Sequence, residues 1–218
     1  MMQTYTIREI TFKLRYTDLP GTETPIVFIH GLGCTGSFDY PKVAQTPCLS
    51  EHRRIMIDLL GAGYSDKPLN FAYAIEAHAQ YLIDFITDMQ LGPVILYGHS
   101  LGGAIAFTMI DLAPDSCRQL ILAEPNLDSG GGETTVVIAA MTEGAFITSG
   151  FEAVIQTAQL AADTVEQDWA ASFTTWIPVA AYQISRAAVE GQTPSWHDIL
   201  YGYSGPKSYL FGPFNDLR

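Results

Sequence analysis

The sequence has few charged residues, and few of those are basic. Charged types make up 16% of its 218 residues, against roughly 25% in an average soluble domain. Eleven Lys and Arg stand against 23 Asp and Glu, which gives a formal net charge of -12 at pH 7. This balance opposes nonspecific binding to nucleic acid or to an anionic membrane surface. With 48% apolar residues, the chain has the composition of a globular domain rather than of a disordered segment or a coiled coil.

Cysteines and long apolar runs are also scarce. Cys34, Cys48 and Cys117 are odd in number and include no close pair, which favours free thiols over a disulfide framework. No stretch reaches the roughly 18 uninterrupted apolar residues of a membrane-spanning helix, and the N-terminus lacks a basic segment followed by an apolar run. We therefore expect a soluble, cytoplasmic protein with no membrane partner and no nucleic-acid partner. The sequence leaves its oligomeric state open.

Patterns that bind metal ions are missing too. The histidines include no pair at helical spacing, and the sequence has neither a Cys-x-x-Cys motif nor a cluster of carboxylates with ligand spacing. We therefore expect no metal ion and no cofactor.

The hydrophobic pattern predicts an α/β fold with a mostly parallel sheet and helices on both faces. Residues 4–17 alternate in polarity as two half-exposed antiparallel strands do. Apolar runs predict buried strands at 25–30, 54–58, 93–97, 119–123 and 207–211, and helical spacing predicts helices at 72–89 and 101–112. Such alternation of strands and helices is typical of α/β domains.

Residues 126–205 interrupt this alternation. They predict no strand and are too long for a simple crossover, and their helical stretches lie at about 134–141, 150–162 and 165–189. The aromatic residues of this segment either line a pocket or pack it onto the sheet, and packing is the preferred interpretation: Phe146, Phe151, Trp169, Phe173, Trp176 and Tyr182.

One motif carries chemistry. Gly98-His99-Ser100-Leu101-Gly102 follows the strand at 93–97 and leads directly into the helix at 101–112. This is the G-x-S-x-G nucleophile elbow in the strand-turn-helix context that it requires. The turn lifts the Ser100 hydroxyl to the carboxyl end of the sheet, where sites form in open α/β folds, and the helix N-terminus below it favours developing negative charge.

With this motif the sequence resembles the α/β-hydrolase superfamily, in its branch of haloalkane dehalogenases and esterases, from the first strand to Phe211. His30-Gly31-Leu32-Gly33 is similar to the oxyanion loop of that family, and residues 58–65 are similar to its loop after the next strand. The resemblance implies a serine hydrolase in which the backbone N–H groups of Leu32 and Leu101 bind the oxyanion. Ser100 at the elbow, rather than Asp, disfavours dehalogenase and epoxide chemistry.

The same resemblance divides the chain into a core and a cap. It implies an α/β-hydrolase core formed by residues 1–125 and 200–218, with a helical cap inserted at 126–199. The expected substrate is a small, largely apolar ester, thioester or related carbonyl compound, bound under an aromatic-rich cap.

A serine nucleophile needs a base, normally a His that a carboxylate orients. Glu124, after the strand that follows the elbow, and Asp216, near the C-terminus, are alternative acids, and the resemblance leaves both open. The family carries its His after one further strand, so we expect this chain to lack the C-terminal strand and helix that hold the base. His197, the only histidine beyond the elbow, is either a substitute base or a surface residue.

The sequence allows two other interpretations, a dinucleotide site and a non-catalytic protein. Gly31 to Gly36 fits the G-x-G-x-x-G of dinucleotide sites, with Asp58 placed 22 residues beyond Gly36, but Pro41 and Pro47 interrupt the helix that this fingerprint requires. The missing base favours a second alternative, a non-catalytic α/β-hydrolase-like binding protein or a degraded remnant. We expect this chain to hydrolyse activated esters slowly or not at all.

Overall fold

A seven-stranded sheet runs through the computed structural model, which describes residues 1–6 and 11–212. The spatial order is β1-β2-β4-β3-β5-β6-β7. The first two strands are antiparallel to each other, β2 is antiparallel to β4, and all neighbours from β4 to β7 are parallel. The predicted mostly parallel α/β sheet is confirmed. The strands are β1 (Met2–Thr6), β2 (Lys13–Leu19), β3 (Glu23–Ile29), β4 (His52–Asp58), β5 (Val94–His99), β6 (Cys117–Ala123) and β7 (Lys207–Leu210).

Helices lie between the strands and in one long insertion. We call helices α5 to α9, residues 133–190, the helical insertion. The helices are α1 (Gly36–Asp39), α2 (Pro41–Ala44), α3 (Ile75–Asp88), α4 (Leu101–Leu112), α5 (Glu133–Ala139), α6 (Glu143–Ala145), α7 (Phe151–Gln159), α8 (Thr164–Phe173), α9 (Pro178–Glu190) and α10 (Trp196–Gly202). A π-helical turn, Phe146–Gly150, joins α6 to α7.

The central strand β3 reads as a continuous apolar run because both of its faces are buried. Val27 and Ile29 belong to the larger core, which also contains apolar side chains of α3 and α4. Ile26 and Phe28 point to the opposite face and belong to a smaller core, which Ala44 of α2 completes. Since successive side chains of a strand point to opposite faces, two covered faces require apolar residues at consecutive positions.

The segment after β3 forms two short helices instead of one long one. α1 ends at Asp39, and Pro41 begins α2 at the first helical position, where proline's missing N–H costs no hydrogen bond. A dinucleotide fingerprint needs a long helix that opens at its glycines, whereas α1, which opens at Gly36, has only four residues.

The prediction of a single helix over 165–189 is wrong. α8 ends at Phe173 and α9 begins at Pro178. Proline has no N–H to continue a helix, and it favours extended backbone at the residue before it. Ile177 has that backbone, with φ of -90° and ψ of 142°.

The aromatic side chains of the insertion pack against one another. Neighbouring ring centroids lie 4.8 to 6.2 Å apart, and the row ends where Trp176 contacts the ring of His30 at 5.6 Å. Phe146 and Phe173 are fully buried. This arrangement favours packing, rather than a ligand pocket, as the role of these rings.

No single helix within the described residues has the length and apolar character to span a membrane. One pair, Glu133–Ala139 with Glu143–Gln159, meets that test together, by length and composition only, and is bent by 106°.

Glycine allows the N-terminus of α4 to approach β3 closely. A Cβ atom added to Gly102 would lie 2.2 Å from the carbonyl oxygen of Ile29, far inside van der Waals contact. The neighbouring atoms belong to the backbone of a central strand and cannot move aside easily. Gly102 is therefore required by packing, in addition to the turn that it follows.

We predict that Gly102→Ala destabilises the protein by about 1–3 kcal/mol, the usual cost of overpacking. Gly144→Ala is the control, because a Cβ atom at Gly144 meets nothing within 4 Å. Urea unfolding followed by circular dichroism measures both variants. Equal stabilities of the two variants would contradict the close approach of α4 to β3.

His78 is a buried histidine in the first turn of α3. Its ring packs against the rings of Phe71, at 5.3 Å, and Tyr73, at 6.0 Å. Its Nε2 atom has no hydrogen-bond partner among the described residues. Burial, with a smaller contribution from His30, lowers the pKa of His78 from 6.5 to about 3. The folded protein therefore keeps this ring neutral under conditions in which the unfolded chain protonates it.

This difference predicts a loss of stability on acidification. Between pH 6.5 and about 3 the unfolded state binds a proton at His78 that the folded state does not. As the pH is lowered through this range, the free energy of unfolding therefore decreases by about 1 kcal/mol per pH unit. His78→Leu removes this contribution and flattens the pH profile, as urea unfolding between pH 7.5 and 5 measures. The matched control is His197→Gln, which replaces an exposed histidine. An unchanged profile in His78→Leu would refute the assignment.

Candidate active site

Ser100 lies in the tight turn between β5 and α4. Its backbone has φ of 51° and ψ of -117°, a left-handed conformation that non-glycine residues seldom adopt and that clusters at functional sites. Two hydrogen bonds hold the turn. The Ser100 N–H donates to the carbonyl of Ala123 at 2.9 Å, and the Gly103 N–H donates to the carbonyl of Ser100 at 2.9 Å. The half-buried serine thus stands at the carboxyl ends of β5 and β6.

The Ser100 hydroxyl is hydrogen-bonded to Asn126. Ser100 Oγ donates to Asn126 Oδ1 at 3.4 Å, and the Asn126 N–H donates to the Ser100 carbonyl at 3.3 Å. Asn126 Nδ2 is buried and has no hydrogen-bond partner in the part of the chain that the structure describes. Sequence reasoning missed Asn126, although it follows Glu124 by two residues at the same strand end.

The loop after β3, residues 30–35, packs against the elbow. A Cβ atom added to Gly31 would lie 3.2 Å from Ser100 Cβ and 3.1 Å from His99 Nδ1, so the backbone of Gly31 touches the serine turn. Leu32 follows directly, and Leu101 follows Ser100, both with buried side chains. The structure therefore brings the segments of both predicted oxyanion donors together at Ser100.

His30 holds the start of the 30–35 loop. Its Nδ1–H donates to the carbonyl of Gly31 at 2.9 Å, and its Nε2 accepts the N–H of Leu59 at 3.0 Å. Burial lowers the pKa of His30 to about 4, against smaller opposing effects of its backbone hydrogen bond and of Asp58. A neutral ring with both nitrogens occupied links the loops after β3 and β4, and it is not placed to take a proton from Ser100.

Asp58 fastens a second pair of segments. Its buried carboxylate accepts hydrogen bonds from Ser37 N at 2.8 Å, Ser37 Oγ at 2.9 Å and Tyr64 N at 2.9 Å. In a dinucleotide site, the acidic residue at this position binds the ribose. Here the protein itself occupies the carboxylate, which argues against that interpretation.

Glu124 follows β6 and lies near the elbow. Its backbone φ is 47°, a left-handed conformation like that of Ser100. The exposed carboxylate accepts the N–H of Gly212 at 2.8 Å. Burial lowers the pKa of His99, and the negative charge of Glu124 partly opposes this shift. Asp216, the alternative acid, lies outside the described residues, so the choice between the two stays a prediction.

His197 lies on the surface of α10. The ring centroids of His197 and Tyr201 lie 4.5 Å apart, and the backbone N–H of His197 donates to the carbonyl of Leu127 at 2.9 Å. These contacts give no support to His197 as a substitute base. All five histidines belong to the described part of the chain, and none of their rings is hydrogen-bonded to Ser100.

The cysteines do not form part of this site. All three are free, Cys34 and Cys117 being buried and Cys48 exposed. Burial raises the pKa of Cys34, which lies in the 30–35 loop, to about 12, so it stays a thiol. Among residues 1–6 and 11–212, no group of three or more His, Cys, Asp or Glu side chains is arranged to hold a metal ion.

The helical insertion is tied to the 30–35 loop. Trp169 Nε1–H donates to the carbonyl of Leu32 at 2.8 Å, and Trp176 Nε1–H donates to the carbonyl of Cys34 at 2.9 Å. The insertion therefore contacts the loop that packs on Ser100.

A groove of about 610 Å³ lies elsewhere, at the amino-terminal end of β6. Its walls include Asp111, Asp115, Cys117 and Asp198. Because Ser100 stands at the opposite end of the parallel strands, this groove is separate from the elbow. Backbone geometry and side-chain chemistry, rather than cavity size, identify the candidate site.

Comparisons with known proteins agree with this architecture. At 31% identity over 105 residues, the chain is similar to a 2-hydroxy-6-oxo-2,4-heptadienoate hydrolase from Pseudomonas putida; the match covers 47% of this chain and 37% of the relative. It spans about a third of the length of the curated relatives it matches.

Solved structures share the fold. A thermophilic esterase from Thermogutta terrifontis has a TM-score of 0.78 at 22% identity, with 99% of this chain and 81% of that chain covered. An N-acyl homoserine lactonase has a TM-score of 0.75 at 17% identity, with 98% and 78% covered. The family model described as alpha/beta hydrolase fold matches residues 24–147, more than half of the chain. The protein belongs to the alpha/beta hydrolase fold family.

Proposed function

We propose that this protein is a serine hydrolase, and that the chain of 218 residues on its own turns over slowly. Ser100 is the nucleophile, the N–H groups of Leu32 and Leu101 form the oxyanion hole, and Glu124 is the acid, with Asp216 as the alternative. The observation that carries the proposal is the strained turn at Ser100 with Gly31 packed against it. Such a turn presents a hydroxyl beside backbone donors, as acyl transfer requires.

The proposed reaction begins with attack of Ser100 Oγ on the carbonyl carbon of the substrate, while the hydroxyl proton passes to solvent water and from there to the leaving group. The carbonyl electron pair moves to the oxygen, and the two N–H groups stabilise the resulting oxyanion by about 3 kcal/mol per donor. Collapse of this intermediate breaks the bond to the leaving group and leaves an acyl-enzyme, which water hydrolyses. The N-terminus of α4 adds a favourable potential for the negative charge.

Removal of the Ser100 hydroxyl proton limits the rate of the proposed hydrolysis. Serine is a weak nucleophile until a base accepts its proton, and no histidine ring in the described structure is hydrogen-bonded to Ser100. Oxyanion stabilisation and binding alone still provide about 10³ to 10⁴ over water in such hydrolases. We therefore propose activity that is slow but depends on Ser100.

The proposed substrate is a small, largely apolar ester, thioester or related carbonyl compound. Its support is the serine at the elbow, together with relatives and structural neighbours named as a hydrolase, an esterase and a lactonase. In this proposal residues 126–199, which include the helical insertion, form a cap on a core of residues 1–125 and 200–218. No cofactor takes part in the proposed reaction. The unpaired cysteines support a cytoplasmic location.

A second candidate is a non-catalytic binding protein with the hydrolase fold. The observation that favours it is the partner of the Ser100 hydroxyl, which is Asn126 Oδ1 and not a histidine nitrogen. The two candidates differ in one respect that can be measured. A hydrolase that lacks a base responds to a base added in solution, whereas a binding protein does not.

We predict that added imidazole accelerates hydrolysis of p-nitrophenyl butyrate by the wild-type protein. Imidazole accepts the Ser100 proton in place of a histidine, so the rate rises with imidazole concentration above the rate of free imidazole alone. Ser100→Ala abolishes this excess. Ser50→Ala is the control, since Ser50 is exposed and its hydroxyl donates to the Pro47 carbonyl. The visible absorbance of the released p-nitrophenolate measures the rate of the reaction.

The outcomes separate the two functions. Excess hydrolysis that Ser100→Ala eliminates and Ser50→Ala retains supports the hydrolase. Equal rates for wild type and Ser100→Ala at every imidazole concentration would reject Ser100 as the nucleophile and favour the binding protein.

A further inference from the structure

We propose that Trp169 is a positioning residue, through which helix α8 holds the Leu32 peptide in place for oxyanion binding. The inference rests on the proposed function, since it assigns Trp169 to the same site. Trp169 does not touch the reacting atoms in this account. It acts on the backbone of the 30–35 loop, and the loop acts on the substrate.

The first observation is the hydrogen bond itself. Trp169 Nε1–H donates to the carbonyl of Leu32 at 2.8 Å, across 137 positions of sequence. Leu32 is the residue whose own N–H is the proposed oxyanion donor. The Leu32 carbonyl belongs to the peptide that joins Leu32 to Gly33, and the Leu32 N–H belongs to the preceding peptide, one Cα atom away. Fixing the first peptide plane leaves only rotation about the φ and ψ bonds of Leu32 between the anchored carbonyl and the donor N–H.

The second observation is the fit of the indole against Gly33. This residue has φ of 77°, and a Cβ atom added to it would lie 2.2 Å from Trp169 Nε1. The ring therefore lies directly on the Gly33 backbone. Because glycine has wide conformational freedom, a ring packed on Gly33 restricts backbone rotation at this position of the loop.

The third observation is the contact on the other side of Leu32. Gly31 packs on the serine turn, with a built Cβ atom 3.2 Å from Ser100 Cβ. Leu32 thus lies between a contact to the elbow and a contact to Trp169. The indole in turn is supported by Phe173, whose ring centroid lies 4.8 Å away. The position of the loop therefore depends on both the core and the helical insertion.

This arrangement affects rate more than binding. An oxyanion donor must lie about 2.7–3.1 Å from the developing charge, and a misplacement of about 1 Å can cost 10²-fold in rate. Removing the indole N–H while keeping an aromatic ring loosens the Leu32 carbonyl and keeps an apolar side chain at position 169. The expected signature is a lower kcat with a nearly unchanged KM.

The test is Trp169→Phe, which keeps an aromatic ring and deletes the donor. The matched control is Trp196→Phe. Buried Trp196 also donates its indole N–H, to Thr108 Oγ at 3.3 Å, but this hydrogen bond joins α10 to α4 and not to the 30–35 loop. With p-nitrophenyl butyrate and imidazole, we expect Trp169→Phe to lower kcat by about tenfold and to leave KM within about twofold. Trp196→Phe should leave kcat within about twofold at equal temperature.

A second measurement does not depend on activity. Hydrogen exchange followed by mass spectrometry reports the protection of peptides that contain residues 30–35. We expect faster exchange of this loop in Trp169→Phe and wild-type exchange in Trp196→Phe, with the strands of the sheet equally protected in both variants.

Each outcome bears on one proposal. Unchanged loop exchange in Trp169→Phe overturns the positioning role, whether or not the protein hydrolyses esters. A kcat in Trp169→Phe within twofold of wild type, or equal losses in both Trp variants, overturns it as well. If the wild type shows no Ser100-dependent hydrolysis while the loop exchange changes as expected, the proposed function fails and the contact of Trp169 with the loop stands.

Discussion

The candidate site depends on close contact between backbone segments that leaves no room for side chains. Gly102 meets the carbonyl of Ile29, and Gly31 meets the turn at Ser100. These contacts bring the end of β3, the elbow after β5 and the start of α4 together. A methyl group at Gly102 would push α4 away from the sheet, and with it the N–H of Leu101. The chemistry proposed for Ser100 follows from this packing.

Buried polar groups then fix the loops around that point. His30 joins the loops after β3 and β4, and Asp58 binds the backbone at Ser37 and Tyr64. Trp169 adds a contact from the helical insertion. Each group is hydrogen-bonded within the protein, as buried polar groups must be to avoid an unfavourable desolvation cost. Hydrogen bonds between distant segments of the chain therefore hold the loops of the site.

Much of the fold could be predicted from the sequence, because its strongest signals are local. β3 and β5 are covered on both faces and read as apolar runs, and the elbow requires glycines at fixed spacing. The position of Glu124 near the elbow could be predicted, because the carboxyl ends of parallel strands meet at one edge of the sheet. The contact of Asn126 with Ser100 could not, since a single Asn has no distinctive spacing.

Long-range contacts explain most of the remaining differences. Trp169 reaches Leu32 only after the insertion has folded over the loop, and nothing in the neighbouring sequence marks it. His197 is the last histidine in chain order, yet α10 carries it to the surface beside Tyr201. The division of 165–189 into α8 and α9 did have a local signal, Pro178, which helical periodicity alone overlooks.

Labelling by a fluorophosphonate tests the central claim most directly, because it requires a reactive serine beside oxyanion donors and no particular substrate. The serine oxygen bonds to phosphorus, fluoride leaves, and the serine proton passes to solvent. With imidazole added as the base, intact-mass analysis with peptide mapping should find a single adduct on Ser100 in the wild type and none in Ser100→Ala. An unlabelled wild type, or an adduct that persists in Ser100→Ala, would contradict the account.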